Sequence, residues 1–251
     1  MTSGELRTFT ADEHETWRQL FERQTPLREV QLVPEFSRGL QLLGIDGRRI
    51  PDLRAVNDQL IKLTGFRGVA VKGLEGPEGF FGLLAKRQFP IGNFIRDKRD
   101  LNYTPEPDVF HDLYGHLPFY ADQRYADFNQ WFGERALKDA HNPQQLRTWE
   151  RLYWFALEFG LLETPAGLRI WGAGIASSFG ECAFALQQTG GPERLPFNLD
   201  QVRQQEFRID ELQKRLFVFK SRAALFEIRD ALETVVINRQ TQVTGPQTGA
   251  R

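Results

Sequence analysis

The sequence predicts a single domain that is mainly α-helical with a few short β-strands. Three observations carry this expectation. Apolar residues recur at helical spacing along much of the chain, as in Leu53, Val56, Leu60 and Leu63. Stretches with strand character are short, and strands and helices never alternate for long enough to build a doubly wound sheet. No internal repeat, low-complexity tract or long linker divides the 251 residues. Residues 1–237 are therefore expected to form the domain, and the Gly- and Pro-containing stretch 238–251 a loose polar tail.

The elements follow in order. Thr10-x-x-Glu13 has the form of a capping box and precedes Trp17, Leu20 and Phe21, which predicts a helix over 11–24. Phe36, Leu40 and Leu43 form a second helical stripe stopped by Gly44. Pro51 opens a third helix that Gly65 ends. Phe66 to Val71 reads as a strand, Pro77 to Lys86 as a helix, and Phe89 to Ile95 as an extended segment broken by Pro90. Pro105 and Pro107 enforce an extended approach, after which Asp108 can cap a helix starting over 108–117. Long helical patterns cover 121–141 and 143–163. Leu168 to Trp171 suggests a strand, Gly172 to Ser178 a turn of small residues, and Phe179 to Gln188 a helix. A short strand over 216–219 and a final helix over 221–236, with Leu225, Ile228, Leu232 and Val235 on one side, complete the domain.

Composition narrows the function. With 32 basic against 33 acidic residues the net charge is −1, so no global field draws in nucleic acid or anionic lipid. No uncharged apolar stretch approaches the ~18 residues of a membrane span, and Met1 to Arg7 lacks the apolar segment of a signal peptide. Cys182 is the single cysteine, which excludes an internal disulfide and a cysteine-rich metal site and suits a reducing compartment. A cytoplasmic protein is expected. No Gly-x-Gly-x-x-Gly or Walker loop supports nucleotide binding.

Chemistry concentrates in a few places. Two of the four histidines stand in His111-Asp-Leu-Tyr-Gly-His116. Five residues on a regular helix turn through about 140°, so both rings reach one ion only where the helix distorts, as Gly115 and Pro118 favour. Glu158 is the only charge within Leu152 to Leu162, a run apolar enough to be buried. A carboxylate buried there must neutralise, pair or bind a metal. Two imidazoles and one carboxylate form the ligand set of non-haem Fe(II) oxygenases. The residues alone leave open two unrelated histidines, a structural ion pair at Glu158, and zinc in place of iron. Trp171-Gly-Ala-Gly-Ile-Ala-Ser-Ser-Phe-Gly-Glu181 offers close backbone approach, two hydroxyls, and in Glu181 a carboxylate to orient a metal-bound imidazole. It also reads as a plain serine-capped turn. Arg96 can grip a substrate carboxylate, or simply be a surface arginine.

Taken together, Thr104-Pro-Glu-Pro-Asp-Val-Phe-His-Asp-Leu-Tyr-Gly-His-Leu-Pro118, Tyr153-Trp-Phe-Ala-Leu-Glu-Phe-Gly-Leu161 and Gly172 to Glu181 resemble the pterin-dependent aromatic amino acid hydroxylases, in their short bacterial phenylalanine 4-hydroxylase branch. Weaker similarity runs from Phe9 to Ala231 and includes Phe89-Pro-Ile-Gly-x-Phe-Ile-Arg96.

The resemblance implies a catalytic domain of that family, with Fe(II) on His111, His116 and Glu158. It implies a tetrahydropterin near Gly73, Leu74 and Phe80, with Asp112 on the pterin side. It places Arg96, Thr104 and Ser177 around the amino acid's carboxylate, and Pro107 and Trp154 along its ring. Ile209 falls where an aliphatic side chain offers a substrate hydroxyl no partner, which favours phenylalanine. Arg208-Ile-Asp-Glu-Leu-Gln-Lys214 lacks the family's usual Phe-Gln-Pro. The implied reaction converts L-phenylalanine and O2 to L-tyrosine. Tryptophan hydroxylation, phenylalanine 3-hydroxylation and, more remotely, a zinc hydrolase are the alternatives. With neither a preceding regulatory segment nor a long C-terminal heptad helix in this sequence, a monomer is expected.

Overall fold

The computed structural model describes residues 5–102, 104 and 106–233. Helix α1 (Ala11–Gln31) starts on the full capping box, with Thr10 accepting from the Glu13 N–H and the Glu13 carboxylate accepting from the Thr10 N–H. It runs past residue 24 and contains Pro26. Proline removes one ladder bond, but the buried face of Trp17, Leu20 and Gln24 docks the helix across that gap. Helices α2 (Pro34–Leu43) and α3 (Leu53–Thr64) end on Gly44 and Gly65, both left-handed at φ 65° and 74°. Pro51 lies outside α3, because Asp52 caps it by accepting from the Arg54 N–H. The buried stripe ends on Thr64, not Leu63, since the Thr64 hydroxyl donates to Tyr120 O at 3.0 Å.

Strands β1 (Arg67–Ala70) and β2 (Gln88–Ile91) pair in parallel across α4 (Pro77–Ala85). Pro90 sits inside β2 and does not break it, because a two-stranded sheet leaves each strand an edge where no donor is needed. The chain then forms a wide helical turn over His111–His116, followed by α5 (Leu117–Tyr120), α6 (Gln123–Lys138) and α7 (Pro143–Tyr153). A second wide turn covers Trp154–Glu158.

Here the expected helix to 163 stops. Gly160 to Thr164 is strand β3, paired antiparallel with β4 (Gly167–Ile170) and parallel with β6 (Arg215–Phe219), and β5 (Glu193–Pro196) completes the order β4-β3-β6-β5. The apolar run 152–162 thus serves first a helix and then a buried strand, two states that look alike at this length. The expected small-residue turn contains a short helix α8 (Ala173–Ala176), and α9 (Phe179–Ala185) and α10 (Leu199–Val202) follow. The final helix α11 (Arg222–Phe226) is interrupted at Glu227. Leu225, Ile228 and Leu232 are buried as the spacing predicts, while Val235 and the tail lie outside the described residues.

The core is aromatic, with Trp17, Trp171, Tyr114, Tyr120, Phe36 and Phe110 among its fully buried side chains. Phe110 stacks on Tyr114 at 4.6 Å, and Trp17, Phe21 and Phe36 meet this pair edge-on. These contacts hold the first wide turn in place. A Cβ on Gly39 would lie 2.0 Å from Pro118 O, so α2 and α5 meet backbone to backbone. Among the described residues, no helix is long and apolar enough to cross a membrane.

Candidate active site

Asp108 caps the first wide turn, accepting from the His111 N–H at 3.0 Å. Within the turn the ladder widens to i→i+5, with the Leu117 N–H on Asp112 O. The second turn shows the same pattern, the Phe159 N–H reaching Trp154 O at 2.8 Å. Such π-type turns bring residues five apart to one side and are frequent at functional sites. This resolves the five-residue spacing: His111 Nε2 and His116 Nε2 are 3.1 Å apart. Glu158 closes the group, with Oε1 3.0 Å from His116 Nε2 and Oε2 4.0 Å from His111 Nε2.

Electrostatics suit a cation. Burial and the neighbouring His116 push the His111 imidazole down to about 4, so it is neutral near pH 7. Burial pushes the Glu158 carboxyl up, but the facing histidines outweigh it and hold the group below the usual carboxylate range. Ser177 donates to Gly174 O at 3.2 Å and so accepts from His111 Nδ1 at 2.8 Å. That leaves the His111 Nε2 lone pair facing His116 and Glu158. Donors 3.0 to 4.0 Å apart can share a single first-row ion with bonds of about 2.1 Å. Two imidazoles and a carboxylate are also the chemical set such an ion takes. The residues fit an iron ion.

Glycines make this packing possible. A Cβ on Gly172 would lie 2.2 Å from Glu158 O, and one on Gly115 would lie 2.8 Å from Ala173 O. Much of the room expected for a ligand is thus used by the backbone of the second wide turn and of α8. The imidazole partner expected in Glu181 is instead Ser177. Glu181 accepts from the Gln213 N–H at 3.0 Å, and burial pushes its carboxyl up to about 7.

A cavity of about 440 Å³ opens beside the three donors. It is lined by Leu74, Phe80, Arg96, Thr104, Pro107, Trp154, Ser177, Glu181 and Ile209 together with His111 and Glu158. His116 lies behind it, fully buried under Phe89, which stacks at 4.4 Å. Gly73 and Asp112 are not in its lining. Asp112 accepts from the Gly92 N–H at 2.6 Å, and burial raises its carboxyl well above the usual range. Arg96 is 6% exposed, and its fork already grips Asp108, Nε to Oδ2 at 2.8 Å and Nη2 to Oδ1 at 2.9 Å. The bidentate grip expected for a substrate is therefore used on Asp108, which aims what remains of the guanidinium.

Tyr153, Phe159, Phe207 and Gln213 also line the cavity, beyond the residues that the sequence motifs single out. Tyr153 and Phe159 flank Trp154 and Glu158 in one apolar run and were within reach of a motif argument. Phe207 and Gln213 lie in a segment with no periodicity to read.

Comparison with known proteins agrees with this geometry. The family profile for biopterin-dependent aromatic amino acid hydroxylase matches residues 6–244. A phenylalanine-4-hydroxylase of Caulobacter vibrioides is 44% identical over 221 residues, which cover 88% of this chain and 74% of that protein. One from Chromobacterium violaceum is 40% identical over 222 residues, with the same two coverages of 88% and 74%. A crystal structure of the latter enzyme with bound iron(III) and 7,8-dihydrobiopterin aligns with a TM-score of 0.85 at 39% identity, over 92% of this chain and 84% of that one. Another, with iron and phenylalanine bound, aligns at 0.81 and 39% identity, over 87% of this chain and 79% of that one. The chain belongs to the biopterin-dependent aromatic amino acid hydroxylase family.

Proposed function

We propose that this protein is a phenylalanine 4-monooxygenase, converting L-phenylalanine and O2 to L-tyrosine with a tetrahydropterin at an Fe(II) held by His111, His116 and Glu158. The observation that carries the proposal is the convergence of those three donors within 4.8 Å of one another, beside a cavity walled by aromatic side chains. When bound, iron and pterin supply the activation of O2 that an unactivated benzene ring requires. The chain's own residues bind, orient and exclude water.

Ser177 fixes the His111 tautomer, so that Nε2 stays a lone-pair donor. Arg96, aimed by Asp108, receives the substrate carboxylate with Thr104 beside it, and Ser177 stands at the same wall. Pro107 and Trp154 hold the substrate ring and Ile209 closes the rim, its aliphatic side chain offering a substrate hydroxyl no hydrogen bond. Phe80, edge-on to Tyr153 at 4.9 Å, offers its ring to the pterin, and Leu74 covers the pterin's entrance. Gly73 leaves backbone room next to Leu74, and Asp112 holds the Gly92 turn beneath the pterin side. A monomer in the cytoplasm is part of the same proposal. The free, buried Cys182 suits a reducing compartment, and sedimentation reads the oligomeric state.

The test is metal analysis and product identification after incubation with iron, a tetrahydropterin, air and each of phenylalanine, tryptophan and tyrosine. Tyrosine formed from phenylalanine in preference to any product from tryptophan supports the proposal. Preference for tryptophan, 3-hydroxyphenylalanine as product, or activity with zinc alone overturns it.

A further inference from the structure

Between α10 and β6, residues 203–214 run without helix or strand, yet they carry Phe207 and Ile209 into the cavity. One buried side chain ties this segment to the rest. Gln213 is 6% exposed and makes four hydrogen bonds. Its N–H donates to Glu181 Oε1 at 3.0 Å. Its side-chain Nε2 donates to Arg208 O at 2.6 Å and to Glu211 O at 3.2 Å. Its Oε1 accepts from the indole Nε1–H of Trp154 at 3.1 Å.

Each bond has a separate consequence. Trp154 stacks with Phe159 at 4.6 Å and with Phe207 at 4.3 Å, and Arg147 lies over Phe207 at 4.3 Å. Stacking fixes the plane of a ring but not its rotation within that plane. The directional bond from Nε1–H to Gln213 fixes the rotation. The carbonyls of Arg208 and Glu211 bracket Ile209 and Asp210, so the same amide that orients Trp154 also sets the turn presenting Ile209.

The geometry points to Gln213 as a positioning residue that sets the angle of the Trp154 ring and the seat of Ile209, and through them the enzyme's choice among aromatic amino acids. This rests on the hydroxylase reading above. A glutamine with a purely structural part would change stability and lower turnover of every substrate alike. A positioning glutamine changes KM and the ratio between substrates.

The experiment uses the full-length iron-loaded enzyme and Gln213→Met, which keeps the side chain's length and removes its hydrogen bonds. Loss of a buried hydrogen bond is worth up to about tenfold in an equilibrium. The KM for phenylalanine is expected to rise by about that factor, with calorimetric binding of phenylalanine weakened in parallel. The ratio of kcat/KM for phenylalanine over tryptophan should fall, while iron content and the pterin KM hold. Trp154→Phe deletes the indole donor, so Gln213→Met in that background should raise the KM by less than about threefold, the signature of coupled residues. An equal rise in both backgrounds, or an unchanged substrate ratio, overturns the inference. Should Gln213→Met not fold, Gln213→Glu decides. It keeps an acceptor for the indole but loses the donors to Arg208 and Glu211, so a relaxed substrate ratio supports the inference and an unchanged one overturns it. Wild-type enzyme that makes no tyrosine would instead refute the hydroxylase reading itself.

Discussion

At the floor of the cavity His116 is fully buried and Glu158 is 8% exposed, whereas at the rim Leu74 is 77% and Ile209 56% exposed. The floor is built from two helical turns locked by the aromatic core, with Phe89 on His116 and Phe110 on Tyr114. The rim is built from loops, 71–76 before α4 and 203–214 before β6. The difference teaches how one fold divides its labour. Donors that must sit within a few tenths of an ångström are placed on packed helices, and groups that meet variable ligands are placed on segments with few backbone constraints. Substitutions in the floor should therefore have large, all-or-none effects, and those at the rim graded ones.

The largest effect is expected for Glu158→Gln. It removes a charge and a donor from the trio, and turnover should drop by roughly a thousandfold, about 4 kcal/mol, together with iron content, while circular dichroism stays native. Full iron and normal turnover would break the contrast at its strongest point. Next comes Arg96→Ala, which leaves Asp108 buried with no counter-charge. Breaking such a pair costs about 3–5 kcal/mol of stability, so the variant should melt earlier as well as raise the KM for phenylalanine. Burial pushes the Asp108 carboxyl up, but Arg96 outweighs it and holds the group below its ordinary value of 3.8. Because the folded value is the lower one, this stabilisation is present above 3.8 and fades as pH falls through the folded value. The wild-type advantage over the variant should then shrink on acidification below about pH 4, as urea melts at several pH values would show.

Ser177→Ala comes third. Losing an outer partner of a ligating histidine typically costs about 10–100-fold in metal affinity, read by competition with a chelator. Affinity within twofold of wild type would mean that the packing around Gly115 alone orients His111. The smallest effect belongs to the rim: Phe80→Leu removes an aromatic face worth about 0.5–1.5 kcal/mol. The pterin KM should rise about two- to tenfold, with iron content and phenylalanine affinity unchanged. A collapse of iron binding in this variant would mean that rim and floor are one unit.

The same division governed what could be read in the sequence. The floor was legible because chemistry leaves residue types behind: paired histidines, and one carboxylate in a greasy run. Even the need for a distorted helix between His111 and His116 followed from angular spacing, although its form, an i→i+5 ladder, did not. Helix stops at Gly44 and Gly65 were legible because only glycine adopts left-handed backbone cheaply. Strands β3 and β5 were not, since Gly160 to Thr164 continues an apolar run and Glu193 to Pro196 is half exposed without alternation. The partner of Arg96 was hidden for another reason. Asp108 was read as a cap, which it is, and nothing local says that its carboxylate also faces a guanidinium twelve positions earlier.

The wide turns carry a consequence for how this chain can change. Each holds one residue more than an ordinary helix would need, so each sets the rotational phase of everything after it. Deleting a single residue between His111 and His116 could still leave two rings on one side, at an i, i+4 spacing. The rest of the helix would then be swung by about 100°, and the contact of Gly39 with Pro118 would be lost. A shift by one amino acid in that stretch would therefore uncouple the histidine pair from the scaffold that aims it.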